Sequence, residues 1–151
     1  MSNTQAMCTS FKGEILSGIH ALGTTVVRAA TTADTLKAAL YLASASIGAG
    51  TTAYTVTGEV SGTGYSAGGV TVTNATAPTT SGTTGYWTPS ASLTYTTVTL
   101  TTAFDCVLIY NSTQSNKAIS AHTFGSQTVT AGTFTLTMPT SDATNALIRI
   151  A

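Results

Sequence analysis

Short runs of threonine, valine and tyrosine recur along this chain with polarity alternating every second residue, and clusters of Gly, Ser, Asn and Pro break them at brief intervals. The alternation is plain in Tyr54–Thr57, Val70–Thr73, Val98–Thr101 and Phe134–Met138. A period of two sends successive side chains to opposite faces of an extended ribbon, which is incompatible with the period of a helix. Threonine supplies 35 of the 151 residues. Its branched Cβ is stiff and suits a pleated surface, while its hydroxyl tolerates water on the outer face. The breaks SIGAG, SGTG, SAGG, PTTSG, NSTQSN and SDATN mark turns. Short strands at this spacing predict an all-β chain: a single-domain β-sandwich or jelly-roll-like barrel.

Within that frame, FDCVLIYN (Phe104–Asn111) is uniformly apolar and reads as a central strand buried on both faces, and NALIRIA reads as a final strand. ADTLKAALYLAS fits two patterns. Leu36, Leu40 and Ala43 would line a helix face, whereas Leu36, Ala38, Leu40 and Leu42 would line a strand; the strand reading is preferred. SFKGEILSGIHAL is the best helix candidate, with Ser10 as a cap and Phe11, Ile15, Leu16, Ile19 and Leu22 at helical spacing. Gly13 and Gly18 weaken it, so it needs something to pack on. The expected organisation is an N-terminal arm or short helix over 1–22, docking on the body or a neighbour, and a sandwich domain over 23–151, with no linker. Phe11, Ile15, Ile19 and Leu22 are the candidate docking residues.

Charge narrows the function classes. Only 7% of residues are charged, against roughly 25% in a typical soluble domain. Five basic residues balance five acidic ones, giving a formal net charge of zero. That argues against nucleic acid as a partner, which requires a basic stripe, and against a polybasic membrane-surface mode. Weak self-repulsion implies mediocre solubility in isolation and suits a chain that lives inside an assembly. The start, MSNTQAMCTSFKGE, has no apolar signal core, and AALYLASASIGAG is too short and too polar to span a bilayer. Synthesis and folding in a cytoplasm are expected. Cys8 and Cys106 match no metal spacing and are read as free thiols. The sequons at Asn74 and Asn111 carry little weight in so threonine-rich a chain.

One stretch matches two catalytic signatures. GTGYSAGG (Gly62–Gly69) contains G-x-S-x-G around Ser66 and G-x-G-x-x-A from Gly62 to Ala67. A nucleophile elbow and a dinucleotide loop both need a helix directly behind them. Here the chain continues as GVTVTN, which alternates like a strand. The order Ser66, Asp105, His122 copies a hydrolase order, yet a hydrolase sheet would not fit this length. The reading preferred is a tight turn or bulge in which Gly62, Gly64, Gly68 and Gly69 permit positive φ. His20 and His122 have no second ligand at metal spacing, and Glu14, Asp34, Glu59, Asp105 and Asp142 are scattered. No catalytic, cofactor or metal residue is assigned. Tyr65, Tyr86, Trp87 and Tyr95 lie in or near Gly/Thr-rich loops. The first three are possible surface aromatics that could hold glycan, with core packing as the plain alternative for Trp87.

SFKGEILSGIHAL, LKAALYLASASIGAGTTAYTVTGEVSGTGYSAGGVTVTN, LIYNSTQSNKAI and PTSDATNALIRIA together resemble a family of small tailed-bacteriophage virion proteins. The likeness covers most of the chain and is weakest between Thr79 and Thr102. It implies a non-enzymatic structural component of the particle, within it the capsid cement or decoration class, which sits on the outer capsid surface and bridges shell subunits. The partners implied are the major capsid protein and further copies of the chain, as a dimer or trimer. A head- or tail-fibre adhesin for host glycan and a tail or neck component are the competing expectations. The resemblance also favours a strand for LKAALYLAS and brings no catalytic residue.

Overall fold

The structure, a computed structural model, describes residues 3–8, 11, 15, 19–20, 22–24 and 32–151. It is all-β, and the described residues form eight strands in two antiparallel sheets: β1 (Ala6–Met7), β2 (Leu36–Leu42), β3 (Val70–Thr71), β4 (Thr79–Ser81), β5 (Thr84–Trp87), β6 (Leu93–Asn111), β7 (Lys117–Leu136) and β8 (Ile148–Ile150). The larger sheet has the order β1-β7-β6-β2-β3 and the smaller the order β4-β5-β8. This is a sandwich-like pair of open sheets; neither closes, so the barrel alternative is set aside.

The long β6–β7 hairpin dominates. The second half of β6, Phe104–Asn111, is the apolar run picked out in the sequence, and it lies between β7 and β2 with nearly every side chain buried. Its first half alternates, with Leu93, Tyr95, Val98 and Leu100 inward and Thr94, Thr96, Thr101 and Thr102 outward. Strands of 19 and 20 residues far exceed the usual length, and the ladder accommodates them by slipping register at five places. Two slips, between Tyr95 and Val98 and between Val98 and Leu100, flank a region where Thr97 and Ala131 take positive φ of 54° and 47°. For a β-branched residue such as Thr97 that conformation is strained.

LKAALYLAS is a strand, β2, held by a ladder to β6 from Leu36↔Asn111 to Leu42↔Phe104. β8 ends the chain as expected and pairs Ile148 with Trp87. Trp87 and Ile148 join the core shared with Tyr41, Leu100, Phe104 and Ile109, so the small sheet is tied to the large one through buried apolar contact.

Two strand expectations change. Tyr54–Thr57 is not a strand: Ala53 makes one bridge to Lys117, and the chain then turns at Val56–Glu59, where the Glu59 amide donates to Val56 O. Alternation there reflects Tyr54 turning inward beside an exposed Val56. Val70–Thr73 shrinks to two residues, although Val72 remains buried and its amide donates to Leu36 O. In the arm, Phe11 and Ile15 are helical, while Ile19, His20 and Leu22 are not, so the helical conformation does not persist to Leu22. Ser10, Gly13, Leu16 and Gly18 lie outside the described residues.

Candidate functional site: a pinned glycine loop and an open sheet edge

The stretch Gly62–Gly69 is a strap laid along the sheet. Thr63 bridges Thr99, whose amide donates to Thr63 O at 2.9 Å, and the strap runs on into β3, which pairs with β2. Two tight turns shape it, closed by Tyr65 N donating to Gly62 O and Gly69 N donating to Ser66 O. Gly64, Gly68 and Gly69 have φ of 78°, 90° and 70°, as the turn reading requires. Gly62 does not share that reason. Its φ is ordinary, and glycine is needed there because a Cβ would stand 2.0 Å from Thr99 O. A Cβ at Gly64 or Gly69 would likewise meet Thr97 O or Ala38 O, at 2.1 and 1.7 Å. Glycines let this backbone lie against two neighbouring strands.

The strap is fastened by Glu59, which sequence reasoning passed over. Glu59 Oε1 accepts the Tyr65 hydroxyl at 2.8 Å and the Gly68 amide at 2.7 Å, and Oε2 accepts the Tyr54 hydroxyl at 2.6 Å. Around it the Tyr110 hydroxyl donates to Gly68 O, the Tyr95 hydroxyl to Ala38 O and the Tyr41 hydroxyl to Thr55 O. The rings of Tyr54 and Tyr110 stack at 4.7 Å, and those of Tyr65 and Tyr95 at 6.0 Å. Two of the six tyrosines thus bond the carboxylate directly, and three more bond backbone carbonyls around it. Burial, reinforced by the nearby Glu59 charge, holds the phenols of Tyr41, Tyr54, Tyr65 and Tyr95 well above their ordinary value and pushes Tyr110 up to about 12. At neutral pH every one of these phenols keeps its proton and serves as a donor. The signal available in the sequence was Glu59 standing three residues before the strap, in a chain with only five acids.

The hydrolase-like triplet is not assembled. Ser66 is exposed, and the next element after it is a strand rather than a helix. His122 Nε2 lies 2.8 Å from Ser120 Oγ on its own strand, and burial lowers its pKa to about 4. Asp105 Oδ1 accepts the Asn3 side-chain amide at 2.7 Å. Asn3 in turn receives the Ile47 amide and donates to Leu42 O, clipping the start of the arm to the body. Among the described residues no group of three His, Cys, Asp or Glu side chains could hold a metal ion, and no helix is long and apolar enough to cross a membrane. Cys8 and Cys106 are buried free thiols; burial and the neighbouring Asp105 push Cys106 up to about 12.

The aromatics divide. Trp87 is 1% exposed and its indole N–H donates to Thr76 O at 2.8 Å, so it offers no stacking face to a glycan. Tyr65 is half-buried with its hydroxyl engaged by Glu59 and the Leu40 amide. Tyr86 lines an open apolar cleft of about 280 Å³ with Leu22, Pro78, Ile148 and Ile150, in which the nearly buried Trp87 also takes part. The arm residues are also claimed by the body. Phe11 is fully buried in the core, and Ile15 and Leu22 pack against it; Ile19 is half-buried. Phe11 is therefore docked on the body of its own chain. The buried polar group Asn111–Asp34 lies beside it: Asn111 Nδ2 donates to Asp34 Oδ2 at 2.8 Å and sits 3.0 Å from His20 Nδ1, whose ring meets Phe11 edge-on. As a sequon Asn111 is inaccessible, being fully buried. Two further open clefts, of about 610 and 710 Å³, are lined by Gln5, His122 and Arg149 and by Thr4, Ile47 and Thr52.

Among the described residues most of the outer edge of β7 is open, with Ala53 bridging Lys117 at its start. β1 covers it only at Ser120 and Ala121, with the Cys8 amide donating to Ile119 O just before them. From Thr123 to Leu136, β7 pairs with β6 on one side and has no strand on the other among the described residues. Comparison with known protein families, curated proteins and solved structures finds no match to this chain.

Proposed function

We propose that the chain is a non-enzymatic structural protein of a tailed-bacteriophage particle, a cement protein that binds the outer capsid surface and bridges major capsid subunits. The observation carrying this reading is the long edge of β7, uncovered among the described residues, on a body whose Glu59 carboxylate is engaged in holding its own strap. The phage resemblance of TGEVSGTGYSAGG, LIYN and DATNALIRIA supports the same role. Neutrality fits a protein that faces away from packaged DNA. Its affinity then comes from apolar area, interstrand hydrogen bonds and shape, multiplied by repetition across a symmetric shell. A ligand that prefers the assembled shell stabilises it by linkage. Adding the purified chain to undecorated shells should raise their disruption temperature; shells that neither bind it nor gain stability would overturn the proposal.

A second reading, a fibre adhesin for host glycan, is favoured by Tyr86 in the apolar cleft beside β5. Under it, Tyr86→Ala abolishes glycan or cell binding and leaves particle assembly unchanged.

A further inference from the structure

We propose that the outer edge of β7 at Gly132–Leu136 pairs antiparallel with the same edge of a second copy of this chain, about a local twofold axis. The proposal rests on the assembly role above and names the partner of that surface.

An open strand edge presents unpaired N–H and C=O groups, and folded proteins ordinarily defend it with lysine, proline, a bulge or a covering loop. No Asp, Glu, Lys or Arg occurs from Ala118 to Thr140, and the first proline is Pro139, beyond the strand. The ladder slips between Tyr95↔Phe134 and Val98↔Gly132, but the extra residue lies on β6, and the left-handed Ala131 precedes the segment, so Gly132–Leu136 carries no bulge of its own on the outer edge. Its sequence, GTFTL continuing into TM, is β-branched and aromatic without charge, the composition that pairs most readily edge to edge.

The pattern also selects the partner. Thr133, Thr135 and Thr137 are exposed, while Gly132, Phe134, Leu136 and Met138 are half-buried on the opposite face. Antiparallel pairing of two identical strands about Phe134 sets Thr133 opposite Thr135 on the outer face and Gly132 opposite Leu136 on the inner. Threonine pairs and aromatic pairs are both favourable cross-strand neighbours. A two-residue slip, which centres the axis on Thr133 or Thr135, preserves the match, whereas a one-residue slip would mix the faces. A charged partner strand gains nothing here, and two copies meet with no like charges opposed. So short a ladder falls well below the roughly 20–30 residues a side of a standard interface, so the isolated pair is weak and strengthens when copies are concentrated on a shell.

The test uses the whole chain. An equal mixture of Thr133→Cys and Thr135→Cys chains places exposed thiols opposite each other at the proposed seam, and the native thiols are buried, so only the new ones react. Their disulfide-linked dimer should form about tenfold or more faster than that of Thr83→Cys, an exposed turn position, because pairing raises the effective concentration. By sedimentation at high concentration, the double variants Thr133→Lys/Thr135→Lys and Thr133→Glu/Thr135→Glu should each be monomeric, and an equal mixture of the two should dimerise again. Equal cross-linking rates for that mixture and for Thr83→Cys, or a wild-type dimer that survives the lysine pair, overturns the proposal. So does a lysine variant that self-associates as before yet no longer binds shells, since the edge would then take a capsid strand. Because self-association is read on the isolated chain, absence of the protein from particles would overturn the virion role and leave the pairing standing.

Discussion

Glu59 Oε1 accepts the Tyr65 hydroxyl at 2.8 Å, and that same phenolic oxygen receives the Leu40 amide at 3.0 Å. The ladder between β2 and β3 stops at Ala38↔Val70, and the next bridge to β2 is Tyr41↔Glu59. Tyr65 therefore satisfies the one amide that falls between them, and Glu59 orients it. Tyr65→Phe leaves the Leu40 N–H buried without an acceptor and should cost about 2 kcal/mol. Glu59→Ala removes an acceptor from three donors and should cost about 3 kcal/mol or more, with Glu59→Gln the mildest of the three because its carbonyl still accepts. Urea unfolding of the three variants checks the order.

The strap's glycines should respond to alanine in proportion to what surrounds them. Gly69→Ala puts a Cβ against Ala38 O at a φ of 70°, so the strap must lift from β2 and the folded chain should be lost or severely destabilised. Gly82→Ala, at a φ of 58° in open space, should cost only the backbone term of about 1–2 kcal/mol. Gly50→Ala has open space and no such φ and should be neutral. Thermal melts of the three should separate them cleanly.

Trp87, the one tryptophan, is enclosed between the small sheet and the core. Its emission should be blue-shifted in the native chain and move to the red on unfolding, giving a direct probe of the β5–β8 junction. Trp87→Ala should cost about 3–5 kcal/mol, the usual penalty for emptying a large aromatic site. A variant that folds normally but loses partner binding would contradict the burial assigned here.

Acid should weaken the fold through His122. Its folded pKa is lowered to about 4 by burial, below the ordinary 6.5, so between those values the unfolded chain binds more protons. Stability is therefore complete above pH 6.5 and falls as pH drops toward 4, by roughly 3 kcal/mol at most. His122→Leu should flatten this limb. An imidazole titration midpoint near 6.5 by NMR would refute the assignment.

Neither cysteine should react with a thiol reagent in the native state, since both are buried and Cys106 stays protonated far above neutral pH. Denaturant should release both, and the rate of native labelling should follow global unfolding.

Elements defined by local pattern were legible: the two-sided burial of Phe104–Asn111 and the end strand at Ile148–Ile150 follow from apolar content, whereas Leu36–Leu42 fits a helix stripe as well as a strand by period, and its ladder to β6 decides for the strand. Tyr54–Thr57 misled because a period of two also arises when a loop buries one aromatic and exposes the next residues. Glu59 escaped notice because its donors Tyr54, Tyr65 and Gly68 become a site only once the Val56–Glu59 turn and the strap fold over β2. Gly62 was assigned the wrong reason, since nothing local to it tells that Thr99 O will lie where a Cβ would be. Trp87 and Phe11 sit among polar neighbours in sequence, and only distant partners, Ile148 for one and His20 with the core for the other, settle that they face inward.

The placement of β8 beside β5 turns everything between Trp87 and Ile148, the long hairpin included, into a closed loop. With β6 and β7 already paired from Leu93↔Leu136, it is the connectors 88–92 and 137–147 that must be closed, at about 2–3 kcal/mol of chain entropy. Three residue pairs cannot offset that alone. The seam is a latch held also by the shared burial of Trp87 and Ile148 and by the Leu147 amide donating to Thr88 Oγ1, and whatever loosens these releases the ends of the loop together.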